Sequence, residues 1–230
     1  MGRDLALATL PFTLSLIAGS TDTIGFLSLN GLFTAHITGN LVMLAAHLIT
    51  GDSSTLSYML AVPVFALVQL LTSLFASHLE RLGVATLRPL LSLQLLLLVL
   101  FLLLGVTCRS QLHSDAVVAV IAGMFGVAAM GVQTALVQIS LTNTPSTAVM
   151  TTNLTHFAVA LGQVLAGRDV TVVDNARRCI SRTFPVIAGF GVGCATGAAG
   201  EAQWGPASLA LPAALALLVL IATSPQAPAS

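Results

Sequence analysis

Apolar runs long enough to cross a bilayer recur along nearly the whole of this chain. Eight can be drawn, over residues 5–29, 34–50, 57–78, 89–107, 115–141, 147–167, 184–200 and 206–223. A bilayer core of about 30 Å needs roughly 20 apolar residues in a helix. Inside it every backbone amide must find its partner within the protein, which for such segments means helix. The expected fold is an all-α polytopic transmembrane bundle of six to eight spans. The second and seventh segments are short for full crossings and read as discontinuous or tilted. Breaks fall at Asn30-Gly31, Gly51-Asp52-Ser53-Ser54, Arg88-Pro89, Asn143-Thr144-Pro145-Ser146 and Gly205-Pro206.

Composition sharpens this reading. Charged residues are 7% of the chain, hydrophobic ones 56%, and the net charge is zero. No basic face is available for nucleic acid, so the expected partners are the lipid bilayer and an unknown small solute. Cys108, Cys179 and Cys194 have no CxxC spacing and read as free thiols among helices. The apolar stretch after Met1 continues past Ala18-Gly19, as in a retained first span rather than a cleaved signal.

With eight crossings, Arg3, Arg109, Arg168, Arg177, Arg178 and Arg182 collect on one side, and Arg81 and Arg88 on the other. The positive-inside rule then puts both termini in the cytoplasm. Residues 168–183 read as a polar, basic cytoplasmic loop, and 224–230 as a loose tail that its prolines keep from continuing a helix.

In so apolar a chain, polar groups at membrane depth mark where function is to be sought. Asp22 is the most costly residue of the first span and shares a face with Ser15, Gly19 and Phe26. In the second segment His36, Asn40, Met43 and His47 form one stripe, with Thr34 and Thr38 opposite. Gln133 and Gln138 lie in the fifth segment. Thr152, His156, Val159 and Gln163 repeat the stripe in the sixth, beside Asn153 and Thr155. Asp22 and His36 could form a titratable pair, or these groups could be hydrogen-bonding glue between helices.

The stretch 33–48 echoes 146–161, with Thr34/Thr147, Ala35/Ala148, Thr38/Thr151 and Asn40/Asn153 aligned. A competing register lies four residues on, setting Thr34–Thr38 against Thr151–Thr155. Two related units follow, 1–110 and 111–223. With four crossings each they would lie parallel.

Neither a metal nor a cofactor is expected. His36 and His47 stand about 16 Å apart by helical rise, too far for one ion. No Gly-x-Ser-x-Gly elbow supports an enzyme.

The Asp22 segment followed by Leu32-Phe33-Thr34-Ala35-His36-Ile37-Thr38-Gly39-Asn40 resembles the YoaK-like family of bacterial membrane proteins, a domain of unknown function (1275). Gly131-Val132-Gln133-Thr134-Ala135 and Thr151-Thr152-Asn153-Leu154-Thr155 are similar to that family's second signature. There a Gly usually follows the final Thr, where this chain has His156. The resemblance implies a multi-pass protein of the bacterial inner membrane.

The functional expectation is a small secondary transporter or permease, proton- or cation-coupled through Asp22. Its candidate site is Asp22, His36, Thr38, Asn40, Gln133, Asn153, Thr155 and His156. The alternative is a non-transporting scaffold or assembly protein whose polar residues serve packing.

Overall fold

The computed structural model describes residues 2–50, 55–108, 116–141, 144–167 and 169–223. They form α1 (Gly2–Ser28), α2 (Ile37–Thr50), α3 (Thr55–Arg81), α4 (Leu87–Thr107), α5 (Ala116–Ser140), α6 (Met150–Ala166), α7 (Val170–Trp204), a 3-10 turn (Gly205–Leu209) and α8 (Ala210–Ala222). The described residues contain no strand. Five apolar helical stretches are long enough to cross a membrane, the last being Val170–Ala222, which holds α7, the turn and α8. The outer faces are oily: Leu67, Leu70, Leu71 and Leu74 on α3 and Leu217, Leu218 and Ile221 on α8 are exposed. That is the expected surface of a bundle solvated by lipid.

The polar groups and glycines fix the course of the chain. α1 and α7 run parallel. A side-chain carbon added at Gly189 or Gly193 would overlap the carbonyl oxygen of Phe12 or Leu16, and one at Gly197 would stand 2.9 Å from that of Ser20. Three glycines at four-residue spacing thus form a seam along which two backbones touch, the small-xxx-small device of membrane helices. Gly19 of α1 seats the same way on the Phe190 carbonyl. The sequence reading did not single out this seam, although its spacing is visible in Gly189-Phe190-Gly191-Val192-Gly193.

α5 runs the other way. Near its start Gly123 abuts Leu32 and Leu29, just past the end of α1. Further on, Gln133 reaches back to Leu14. α3 starts beside that same end, where the Tyr58 hydroxyl donates to the Asn30 carbonyl. The segment leading into α4 lies at the end of α5, where Thr86 Oγ1 meets Ser140 Oγ at 2.9 Å. α4 returns until Gly105 packs on Pro206 and Leu209 of the 3-10 turn. Gly205 breaks the long helix with φ 62 and ψ −147, which only glycine adopts at ease. α8 then runs back, bringing Leu218 and Ala222 next to Thr9 and Thr13 of α1.

Two helices do not cross. The chain leaves α1 at Ser28, turns back until Thr34, Ala35 and His36 stand beside Asp22, and only then starts α2. From there α2 heads back out: Met43 lies against Gly31, and the His47 ring meets the Tyr58 ring at a tilt, centroids 4.8 Å apart. At the other end, Thr147 stands beside Gln133 before α6 begins. α6 then leaves toward the start of α7, where Phe157 meets Phe184. α2 and α6 are therefore half-helices that start inside the bundle and exit at opposite ends.

Several sequence expectations change with this finding. The short second segment was open to being discontinuous, and it is; the sixth, drawn as a full crossing, also stops halfway. The chain runs between the two ends of the bundle in α1, α3, α4, α5 and α7, and the short α8 returns from the 3-10 turn to the level of Thr9 in α1. Because α2 does not cross, α3 runs opposite to its expected direction. Arg81 and Arg88 then share an end with Arg3, Arg177, Arg178 and Arg182. Arg109 and Arg168 lie outside the described residues, as do Gly51–Ser54 and the tail 224–230. The expected parallel relation of 1–110 and 111–223 also fails, since α1 and α5 run antiparallel. Most of the polar stretch 168–183 is the first third of α7 rather than a loop. Arginine is a good helix former, and Asp169 caps the helix by accepting from the Thr171 amide at 2.8 Å. At 35 residues, α7 is about 52 Å long, longer than a bilayer core requires.

α1 and α5 occupy the centre, and their neighbours correspond. α1 packs on α7 and α8, and α5 on α3 and α4; α2 leans on α3, and α6 on α7.

Candidate functional site

Asp22 is buried, and its carboxyl gathers the returning segment. Oδ1 accepts from the backbone amides of Thr34 and Ala35, each at 2.7 Å, and from Thr34 Oγ1 at 3.3 Å. Oδ2 lies 2.9 Å from His36 Nδ1. The expected Asp22–His36 pair therefore exists. The geometry follows from the chain's need: a returning segment inside an apolar bundle exposes amides that no helix satisfies, and one carboxyl takes three of them, the His36 amide more distantly at 3.4 Å. Asn40, fully buried, completes the turn from the first turns of α2. Its Oδ1 accepts from the Phe33 amide at 2.9 Å and its Nδ2 donates to the Phe33 carbonyl at 2.7 Å. Thr34 belongs to this segment and not to a helix face opposite the stripe. Thr38 is exposed on α2. Gly39 faces the Phe33 ring, 3.0 Å from where a side-chain carbon would stand.

The second cluster has the same parts in other hands. Gln133, buried in α5, donates through Nε2 to the Leu14 carbonyl at 2.9 Å and to Thr147 Oγ1 at 3.0 Å, and accepts from Gln94 Nε2 at 2.7 Å. Asn153 Nδ2 donates to the Ser146 carbonyl at 2.6 Å, seven residues back, the same offset at which Asn40 meets Phe33. Gln94 went unnoticed in the sequence, though it is a single amide inside a run of leucines.

The eight candidates do not converge on one point. Asp22 and Leu14, which Gln133 touches, are eight positions apart on α1, about 12 Å of rise. Asp22, Asn40, Gln133 and Asn153 are each buried and bonded within the protein. Thr155 is exposed and turns its hydroxyl onto the Thr151 carbonyl at 2.9 Å.

Beside the second cluster lies an open cavity of ≈ 710 Å³. α5 contributes Gln138 to its wall, α6 contributes Thr152, Asn153 and His156, and α7 contributes Arg178 and Arg182. Asn153 and His156 are the two expected site residues that line it. From the sequence the arginines read as a cytoplasmic topology anchor that could also touch anionic headgroups. Their part was hidden because it depends on 170–183 being helical, which puts both on one face. The three cysteines are free. Cys179 Sγ lies 3.8 Å from the His156 carbonyl.

An all-helical bundle with an oily exterior, several apolar spans and polar groups held inside defines a multi-pass helical membrane protein. Residues 10–222 match the family model described as "Protein of unknown function (DUF1275)", and the chain belongs to that family. No curated protein and no solved structure matches it.

Proposed function

We propose that this chain is a small secondary transporter of the bacterial inner membrane, made of two inverted units, 1–110 and 111–223. The observation that carries the reading is the pair of half-helices, which start inside the bundle and leave at opposite ends. Discontinuous helices in inverted units are how many transporters place a solute site near mid-membrane and open it alternately to either side. The corresponding neighbours of α1 and α5 and the matching Asn40 and Asn153 bonds support the duplication. All six arginines within the described residues share the end at which α1 begins and α8 finishes. The positive-inside rule makes that end cytoplasmic.

In this reading Asp22 and His36 hold the first re-entrant segment and are the candidate for proton coupling. The His36 side chain is 35% exposed, which gives the pair a route to the outside. The cargo enters at the cavity beside α6. The rival reading, a non-transporting scaffold, has its own support in the buried, fully bonded state of Asp22, Asn40 and Gln133.

Proteoliposomes carrying the purified chain separate the two. We expect time-dependent uptake of at least one member of a panel of small anions, zwitterions and neutral polar solutes. Asp22→Asn should shift the pH dependence of that uptake. Folded protein that moves none of them above protein-free vesicles would favour the scaffold.

A further inference from the structure

We propose that the cavity between the end of α5, α6 and the first third of α7 binds a small phosphate- or carboxylate-bearing anion. Three independent features of its wall point one way. Arg178 and Arg182 both line it, one helical turn apart on the same face. Both are exposed, and like charges at that spacing repel weakly, a repulsion that an anion between or above them relieves. The wall contains neither Asp nor Glu. Asp174, one turn before Arg178, is exposed and makes no ion pair with either arginine among the described residues.

The second feature is the start of α6, which opens on the same space. Val149, which precedes it, also lines the cavity, and no side chain caps the helix. The first-turn amides have no acceptor within the helix, and the helix dipole adds partial positive charge there. α6 runs 17 residues, long enough to develop that field. Third, the remaining wall is donor-rich and small-solute-sized. Gln138, Thr152 and His156 can each donate a hydrogen bond, and ≈ 710 Å³ lies within the range of small-molecule pockets. Arginine forks suit phosphate and carboxylate oxygens alike.

The inference deepens the transporter reading, on which it rests for calling the anion a cargo; anion binding as such does not require it. The cavity lies at the arginine-rich end, so the anion could be a free solute or the headgroup of an anionic lipid. One experiment tells them apart. The full chain is placed in phosphatidylcholine nanodiscs and titrated calorimetrically with inorganic phosphate and with succinate. Parallel discs doped with phosphatidylglycerol are analysed for lipid retained on the protein by native mass spectrometry.

Binding of phosphate or succinate is expected, weakened about tenfold or more by Arg178→Gln or Arg182→Gln. Arg177→Gln, which makes the same charge change one residue away and off the cavity wall, should alter it less than about twofold. Arg178→Lys, which keeps the charge, should retain part of the affinity and shows that the site is folded. If only phosphatidylglycerol is retained, and Arg178→Gln releases it, the anion site stands with lipid as its ligand. No anion binding, or binding unchanged in the Arg178→Gln/Arg182→Gln double variant, overturns the proposal. Binding without counterflow of the same anion in proteoliposomes keeps the site and removes the transporter reading.

Discussion

Removing the Asp22 carboxyl tests whether one side chain holds the first re-entrant segment in place. Asp22→Ala leaves the Thr34 and Ala35 amides, now bonded at 2.7 Å, without an acceptor in an apolar interior. Each orphaned donor costs about 1–3 kcal/mol. Loss of the His36 contact at 2.9 Å adds to that, so a total of about 3–5 kcal/mol is expected. Asp22→Asn differs. Its carbonyl oxygen can still accept both amides, and only the charge assistance and the His36 geometry suffer, so about 1–2 kcal/mol is expected. The assay is equilibrium unfolding in mixed micelles, followed by helicity, with both variants against the parent. The ordering matters more than either value. An Asp22→Ala protein within 1 kcal/mol of the parent would refute the claim that the carboxyl organises residues 33–36. So would an Asn variant as unstable as the Ala variant.

Further outcomes follow from other contacts. Gly193→Leu forces α7 off the Leu16 carbonyl and should cost about 1–3 kcal/mol or more by overpacking. Gly191→Leu, with open space around that position, should cost little; thermal melts of the two compare them directly. Asn40→Ala orphans the Phe33 amide and carbonyl and should destabilise by about 2–4 kcal/mol, read in the same unfolding assay. At the start of α7, hydrogen bonds from Thr171 hold the Asp169 carboxyl below its ordinary pKa of 3.8. A depressed folded pKa means the cap is intact above that value and is lost as pH falls below it. The protection of the Thr171 amide, taken against its intrinsic exchange rate at each pH, should therefore fall on acidification there, and in Asp169→Asn much less so.

Much of this architecture was legible in the sequence. Low charge and long apolar runs dictated helices, and the turn chemistry at Asn30-Gly31 and Gly205-Pro206 marked real ends. Asp22 and His36 were readable as a pair because both are costly in an apolar bundle and the chain offers few other partners. The direction of α2 was not readable. A mostly apolar stretch of 14 residues can thread most of a bilayer or half of it, and hydropathy is the same for either course. Only contacts distant in sequence decide, such as Met43 on Gly31 and Tyr58 on Asn30. One missed half-crossing then reverses every later helix, which is why Arg81 and Arg88 were assigned to the wrong end. The Arg178–Arg182 wall was missed for another reason. Charged residues after Gly167 read as a break in structure, whereas a capped helix longer than the bilayer can carry them past its edge.

The re-entrant course of α2 underlies the topology, the inverted units and the transport reading, and cysteine accessibility in intact cells tests it most directly. Leu56 and Leu82, both exposed near the ends of α3, are replaced singly by cysteine in a background lacking Cys108, Cys179 and Cys194. They are probed with a membrane-impermeant maleimide alongside a tag at the N-terminus. If α2 turns back, Leu82→Cys is labelled only after lysis, from the same side as the tag, and Leu56→Cys is labelled on whole cells. The reverse pattern, with Leu56→Cys sharing the side of the N-terminus, would mean that α2 crosses the membrane and would contradict the account.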